Sequence, residues 1–410
     1  MRFTAVIAGV GMTRFGKHLD EGLKAIGAEA VQAALADAGI EAGDLEAAYV
    51  GNAAAGLVTG QECIRGQVIL RGMGIGRIPV VNVENACASA STALHQACAM
   101  VSAGYYDTVL ALGVEKLYHV DKRRSFAAFS GAVDVEVMAA LLDALKQGAA
   151  AAGAETAGGG AGEKRSMFMD IYAAAARAHM QRYGTTVEQF AAIAAKNSLH
   201  GSLNPRAQFR DVLTVADVLA APLVAEPLTR PMCSPIGDGA AAVVVMSDRM
   251  AKQRGRHTPV RVVASVLRSG WDHGMDEPGT VEVCAREASE EAGIGPRDVD
   301  VIECHDASAP AELMAYESLG LCAKGEGGAF IDSGAPRLGG RLPVNTSGGL
   351  LRKGHPVGAT GIAQIVELTE QLQGRAGERQ VAGAKVGLAH NGGGAIGTDA
   401  AAMCVTILAR

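Results

Sequence analysis

Two spacings of apolar residues alternate along the chain. Short β-branched runs, such as AAAVVVM ending at Met246 and AAMCVTI ending at Ile407, read as strands buried on both faces. Between such runs lie longer stretches with apolar positions three and four apart, including STALHQACAMVSAG (91–104) and ATGIAQIVELTEQLQG (359–374). These are predicted helices packed on a sheet. Strands alternating with helices predict an α/β protein with a buried mixed sheet between helical layers.

The pattern also repeats. AGIEAGDLEAAYVGN (38–52) has a counterpart in AGIGPRDVDVIECHD (292–306), with Asp44 matching Asp298 without a gap. PVVNVENACAS from Pro79 corresponds to LPVNTSGG from Leu342, and each precedes one of the long helical patterns. IGDGAAAVVVM from Ile236 corresponds to IGTDAAAMCVTI from Ile396. Three pairs in the same order predict two similar halves. The expected organisation is residues 1–117 with 233–257 as one half, 258–410 as the other, and 118–232 as an inserted cover over one face. Within the insertion, the stretch 148–163 (GAAAAGAETAGGGAGE) reads as a surface loop. Helical patterns follow at 167–184 and after Thr185 and Thr186, either of which suits an N-cap.

Composition narrows the class. The chain has 410 residues, 49% hydrophobic and 20% charged, enough for a large globular core. Aromatics are only 4%, so packing must rely on small aliphatic side chains and close backbone approach. The net charge is -6 and no basic block stands out, which argues against a nucleic-acid partner. No apolar run reaches the length of a membrane span. The eight cysteines form neither a C-x-x-C nor a zinc spacing. With no signal peptide at MRFTAVIAGVG, the expectation is a reduced, cytoplasmic protein without a bound metal.

Candidate chemistry clusters where strands meet turns. Cys87, in ENACASAS, sits between a predicted strand and a long helix. A helix N-terminus would favour its thiolate, and small neighbours leave room for a bulky substrate; the alternative is a buried small hydrophobe. His355, in GGLLRKGHPVGATG, lies on a Gly-rich turn stiffened by Pro356, where an imidazole can serve as a base or simply sit on the surface. His305, in IECHDAS, ends a predicted buried strand; it reads as a site residue or as a structural histidine. His390, in LAHNGGG, precedes glycines whose N–H groups can face an oxyanion or merely form a turn. GVGMTRFG lacks the spacing of a dinucleotide turn, and neither a phosphate loop nor a G-x-S-x-G elbow occurs.

Together these segments resemble the thiolase superfamily over nearly the whole chain, and within it the branch related to the thiolase domain of sterol carrier protein 2. The resemblance implies a thiolase-like fold of two βαβαβαββ halves, a five-layered α-β-α-β-α core and an inserted loop domain. ENACASASTAL is similar to the nucleophile segment, which makes Cys87 the acylated cysteine. GHPVGATG is similar to the GHP segment, which makes His355 its activating base. IECHDAS resembles the HDCF segment, so His305 is expected to polarise the thioester oxygen. CSPIGDGAAA implies that Ser234 contacts the pantetheine arm. LAHNGGG implies that the Gly392 N–H pairs with that of Cys87 in an oxyanion hole. Asn345, in PVNTSGG, joins the expected oxyanion and substrate-binding set.

The pattern departs from the family where a second cysteine is expected. Ordinary thiolases carry it where this chain has His390, and the sterol-carrier branch carries it where this chain has Ala307. Strand alternation turns Cys304 away from His305. His390 or a bound water is therefore left to move the α-proton. The HDA form resembles a subgroup that works with a small zinc-ribbon/OB-fold protein. The resemblance implies thiolytic cleavage of a 3-ketoacyl-CoA, or the reverse condensation, with coenzyme A as substrate, no covalently bound cofactor and a homodimeric core. The alternatives are a C-acyltransferase or decarboxylative condensing enzyme using a Cys-His-His set, and a non-catalytic acyl-CoA-binding or scaffold subunit of a hetero-oligomer.

Overall fold

The computed structural model describes residues 3–151, 153, 165–255, 259–274 and 276–410. In chain order its strands are β1 (Ala5–Met12), β2 (Ala47–Gly51), β3 (Val80–Val83), β4 (Thr108–Glu115), β5 (Leu223–Ala225), β6 (Leu228–Thr229), β7 (Gly239–Ser247), β8 (Val260–Ser269), β9 (Val301–Glu303), β10 (Val386–Gly393) and β11 (Ala402–Ala409). The helices are α1 (Leu23–Ala38), α2 (Ala55–Thr59), α3 (Arg65–Gly72), α4 (Ser89–Ser102), α5 (Lys122–Ser130), α6 (Met138–Ala151), α7 (Met167–Tyr183), α8 (Val187–Ser202), α9 (Val215–Ala220), α10 (Asp248–Gln253), α11 (Thr280–Ala292), α12 (Ala309–Ser318), α13 (Gly327–Asp332), α14 (Gly349–Arg352) and α15 (Thr360–Gln373).

Nine strands run in the order β3-β2-β4-β7-β1-β8-β11-β10-β9, with β5 and β6 forming a separate hairpin. The junction between β1 and β8 is only two residue pairs wide, Val6 with Arg261 and Ile7 with Val260. On either side of it the strand order is the same. In the first half β1, β7, β4, β2 and β3 follow one another; in the second, β8, β11, β10 and β9, with Val344 pairing parallel to Ile302 where β3 pairs with β2. The duplicated α/β architecture is therefore as expected.

Core packing makes the layers. Ala5, Ile7, Val10 and Met12 of β1 join α4 and α15 in one cluster, together with Val262 of β8 and Ala389 of β10. The alternate residues Val6 and Ala8 face α1 and α3 in a second cluster. The outer face of the other half packs on α8, α11 and α12. The order is helix, sheet, helix, sheet, helix, and α4 with α15 is the shared middle layer. Close approach there depends on missing side chains: a Cβ on Gly361 would lie 1.9 Å from Ser91 Oγ.

The repeated sequence folds alike in both halves. Gly39 (φ 63°) and Gly293 (φ 66°) cap α1 and α11 in the left-handed region. Each leads into a single turn of 3-10 helix, closed by Asp44 accepting from the Glu41 N–H at 3.0 Å and by Asp298 accepting from the Gly295 N–H at 2.9 Å. Of the two N-cap candidates before α8, Thr186 is the cap, in a reciprocal box with Gln189. The expected loop over 148–163 is corrected at its start, where 148–151 continue α6; most of its remainder lies outside the described residues. Among the described residues no helix is long and apolar enough to cross a membrane.

Candidate active site

Cys87 sits on a 3-10 turn, Ala86–Ala88, between β3 and α4. The turn is strained and tied down. Ala86 has φ 47°, its N–H donates to Glu84 Oε1 at 2.6 Å, and its carbonyl accepts from Ser89 Oγ at 2.7 Å. His305 follows β9, His355 occupies the loop between α14 and α15, and His390 lies within β10. The first half thus supplies the sulfur and the second half all three imidazoles. The ligand atoms of Cys87, His305 and His355 lie within 4.8 Å of one another. The rings of His305 and His355 meet edge to face, with centroids 5.2 Å apart.

Hydrogen bonds assign a role to each ring nitrogen. His355 Nδ1 lies 2.7 Å from Thr360 Oγ1, whose own hydrogen goes to the Pro356 carbonyl at 3.1 Å. Nδ1 must therefore donate, and Nε2 keeps a lone pair. His305 is the reverse: Asn391 Nδ2 donates to its Nδ1 at 2.9 Å while Ser91 Oγ holds Asn391 Oδ1 at 2.7 Å, so the proton of His305 is on Nε2. His390 Nδ1 accepts from the His305 backbone N–H at 3.3 Å, which also puts its proton on Nε2. The three rings present one acceptor and two donors.

The resting charge state differs from the helix-end expectation for Cys87. Burial pushes its thiol up to about 12; Glu115 adds to the shift, and the N–H groups of Gly394 and of Cys87 itself only oppose it. The α4 dipole does not hold the thiol down, because Cys87 precedes α4 on a separate turn, with two carboxylates near the sulfur and no cation among the groups that shift it. Burial also holds His355 down to about 3, aided by Lys353, and His390 down to about 4. His305 is driven well below the usual range by burial and its two histidine neighbours. The idle site is a neutral thiol facing neutral imidazoles. Although Cys87, His305 and His355 are close enough to touch one cation, the His305 Nδ1 lone pair is already taken by Asn391, so the set suits proton transfer better than metal ligation.

These groups line a cavity of about 1120 Å³ with Ser234, Ala307, His390 and Gly392. Phe126 and Phe129 of α5 and Phe168, Met169 and Tyr172 of α7 line it as well. Lys17, Lys122 and Arg230 also line it and are exposed. Besides the N–H of Cys87 itself, the N–H bearing on the sulfur is that of Gly394, two residues beyond Gly392. Asn345 requires a correction. It is fully buried behind the site, where its amide accepts from the Cys304 N–H at 2.9 Å and donates to Glu312 at 2.9 Å and to Cys304 Sγ at 3.3 Å. It is a strut under the strand end, and it holds Cys304 there too.

Sequence reasoning passed over several residues. Thr360 and Asn391 set tautomers, yet look like ordinary helix-start and loop residues. Glu115 accepts from the N–H groups of Ala53, Ala54 and Gly358 at 3.2, 3.1 and 3.0 Å, tying the first half to the His355 loop. Asp306 accepts from the Leu350 N–H at 2.7 Å and so anchors α14, which leads to His355. Cys233 lines the cavity wall with its thiol on the Thr229 carbonyl at 3.5 Å. The HD pair in IECHDAS was the one available signal for Asp306.

A duplicated five-layered fold that closes a cysteine and three histidines into one cavity is the framework of an acyl-transferring enzyme. The chain belongs to the thiolase family: residues 5–249 match the thiolase N-terminal domain and residues 277–409 the thiolase C-terminal domain-like family. It is 42% identical over 405 residues to an acetyl-CoA acetyltransferase of Methanothermobacter thermautotrophicus (strain Delta H), covering 98% of both chains. It is 37% identical over 409 residues to sterol carrier protein 2 of Rattus norvegicus, covering 96% of this chain and 71% of that one. Among solved structures, an Ltp2-ChsH2(DUF35) aldolase superposes with a TM-score of 0.77 at 26% identity, covering 99% of this chain and 97% of the other. The protein is an acyltransferase of the thiolase type.

Proposed function

We propose that the enzyme cleaves a 3-ketoacyl-CoA with coenzyme A, or runs the reverse condensation, through an acyl thioester on Cys87. The observation that carries this reading is the trio of Cys87, His305 and His355 within 4.8 Å at the wall of a large cavity. His355 Nε2, the one ring lone pair directed by tautomer, takes the thiol proton as sulfur attacks the keto carbon. The Cys87 and Gly394 N–H groups support the oxyanion, with Gly392 lining the same wall, and His305 Nε2–H holds the thioester oxygen of the leaving enolate. Coenzyme A then attacks acyl-Cys87. Ser234 meets the pantetheine arm, and Lys17, Lys122 and Arg230 meet the phosphates.

Intact mass spectrometry after exposure to a panel of acyl-CoAs tests this. An acyl adduct mapping to Cys87 and lost in Cys87→Ala is the expected result; a panel that leaves Cys87 unlabelled overturns the reading. A second reading is favoured by the absence of a thiol at positions 307 and 390: decarboxylative condensation with the Cys-His-His set. Under it, malonyl-CoA outpaces acetyl-CoA as donor.

The division that fits this chemistry is 1–117 with 233–257, 258–410, and the cover 118–232. The active unit is a homodimeric core in the cytoplasm, joined by a small zinc-ribbon/OB-fold protein. The DUF35 component named in the aldolase structure supports such a partner. Co-purification of a small zinc protein tests it, and full activity of the isolated homo-oligomer refutes it.

A further inference from the structure

The proton balance of this site differs from what the histidine count implies. Position 390 is where a second acid/base would be expected, and a histidine there looks like its replacement. The geometry does not allow that use. His390 Nδ1 is occupied by the His305 backbone N–H at 3.3 Å, so in the neutral ring Nε2 already carries a hydrogen. That Nε2 is buried and has no hydrogen-bond partner among the described residues, while the ring lines the cavity. With only 5% of the residue exposed, it is a buried donor awaiting an acceptor. His305 is a donor for the same kind of reason. Only His355 offers a lone pair.

We propose, building on the acyl-Cys87 reading above, that His390 acts solely as a hydrogen-bond donor to an oxygen of the bound acyl group and that His355 alone carries protons in both half-reactions. In the first half-reaction the Cys87 thiol proton moves to His355 Nε2 as the S–C bond to the keto carbon forms. The bond between that carbon and the α-carbon breaks, its electron pair passes to the α-carbon as an enolate, and His355 returns the proton there. Acetyl-CoA leaves, and the shortened acyl group stays on Cys87 as its thioester. In the second, His355 takes the proton of coenzyme A as its sulfur attacks acyl-Cys87. The thioester bond to Cys87 then breaks, and the departing thiolate takes that proton back. No oxidant or further co-reactant is needed.

The test follows exchange of the α-protons of acetyl-CoA with D2O, alongside the acyl adduct on Cys87. Gln places a donor amide near the His Nε2 position but cannot shuttle a proton. His390→Gln is expected to keep exchange within about tenfold of wild type, whereas His390→Leu falls about 100-fold, the scale of a lost oxyanion donor. If His390→Leu does not fold, His390→Phe makes the same comparison. His355→Gln is expected to abolish exchange. The proposal is overturned if His390→Gln loses exchange as fully as His390→Leu while Cys87 is still acylated. It is also overturned if His355→Gln retains exchange, or if Cys233→Ser or Tyr172→Phe abolishes it, since those groups face the same cavity. A wild-type protein that never acylates Cys87 fails on the adduct, not on exchange. That outcome removes the underlying reading and this inference with it.

Discussion

At the scale of single residues, the site stores no charge. A thiol held up to about 12 beside an imidazole held down to about 3 cannot rest as an ion pair. A raised thiol pKa keeps the proton on sulfur through neutral pH, and the thiolate fraction grows about tenfold per pH unit below it. Alkylation of Cys87 by iodoacetamide in the free enzyme is therefore expected to keep rising with pH between 7 and 10. A plateau below pH 8 would show a preformed thiolate and refute the assignment. These charge states were not legible in the sequence. ENACASAS announces a cysteine near a helix start, but not the depth of the turn or the approach of Glu115. The tautomers were equally hidden, because Thr360 and Asn391 matter only once the strand ends converge. Asn345 looked like a binding residue because its segment is polar and Gly-rich; its side chain turns into the core.

Elements were easier to read than residues, because their signals are local. The capping glycines Gly39 and Gly293 and the turn-closing Asp44 and Asp298 sit at matching offsets, and each pair folds alike. The convergence of Cys87 with three histidines from the other half came from resemblance, since no spacing rule links them. What brings them together is the middle layer. Ser91 on α4 holds Asn391, which holds His305, and Gly361 on α15 leaves the room for it. A Gly361→Ala substitution pushes a methyl group onto Ser91 Oγ and Asn391 Oδ1. The expected cost is about 1–3 kcal/mol in urea denaturation, typical of overpacking, with Cys87 acylation slowed more than overall stability suggests. Unchanged acylation would show that the Ser91–Asn391 link is not required.

For the whole molecule, the net charge of -6 works against binding a polyanion such as coenzyme A. Lys17, Lys122 and Arg230, exposed at the cavity, oppose that average locally. Neutralising each should raise the KM for coenzyme A about two- to fivefold at low salt. The difference should shrink near 0.5 M NaCl as screening shortens the reach of charge; a salt-independent change would mean the side chain acts through packing instead. Because α5 and α7 form part of the cavity wall while the thiol and the imidazoles stand on inner turns and on β10, that part of the wall and the reacting groups belong to separate stretches of polypeptide. Grafting the 118–232 stretch from a relative with another acyl preference would then retarget the enzyme, and the graft would inherit the host's bond-making steps without redesign.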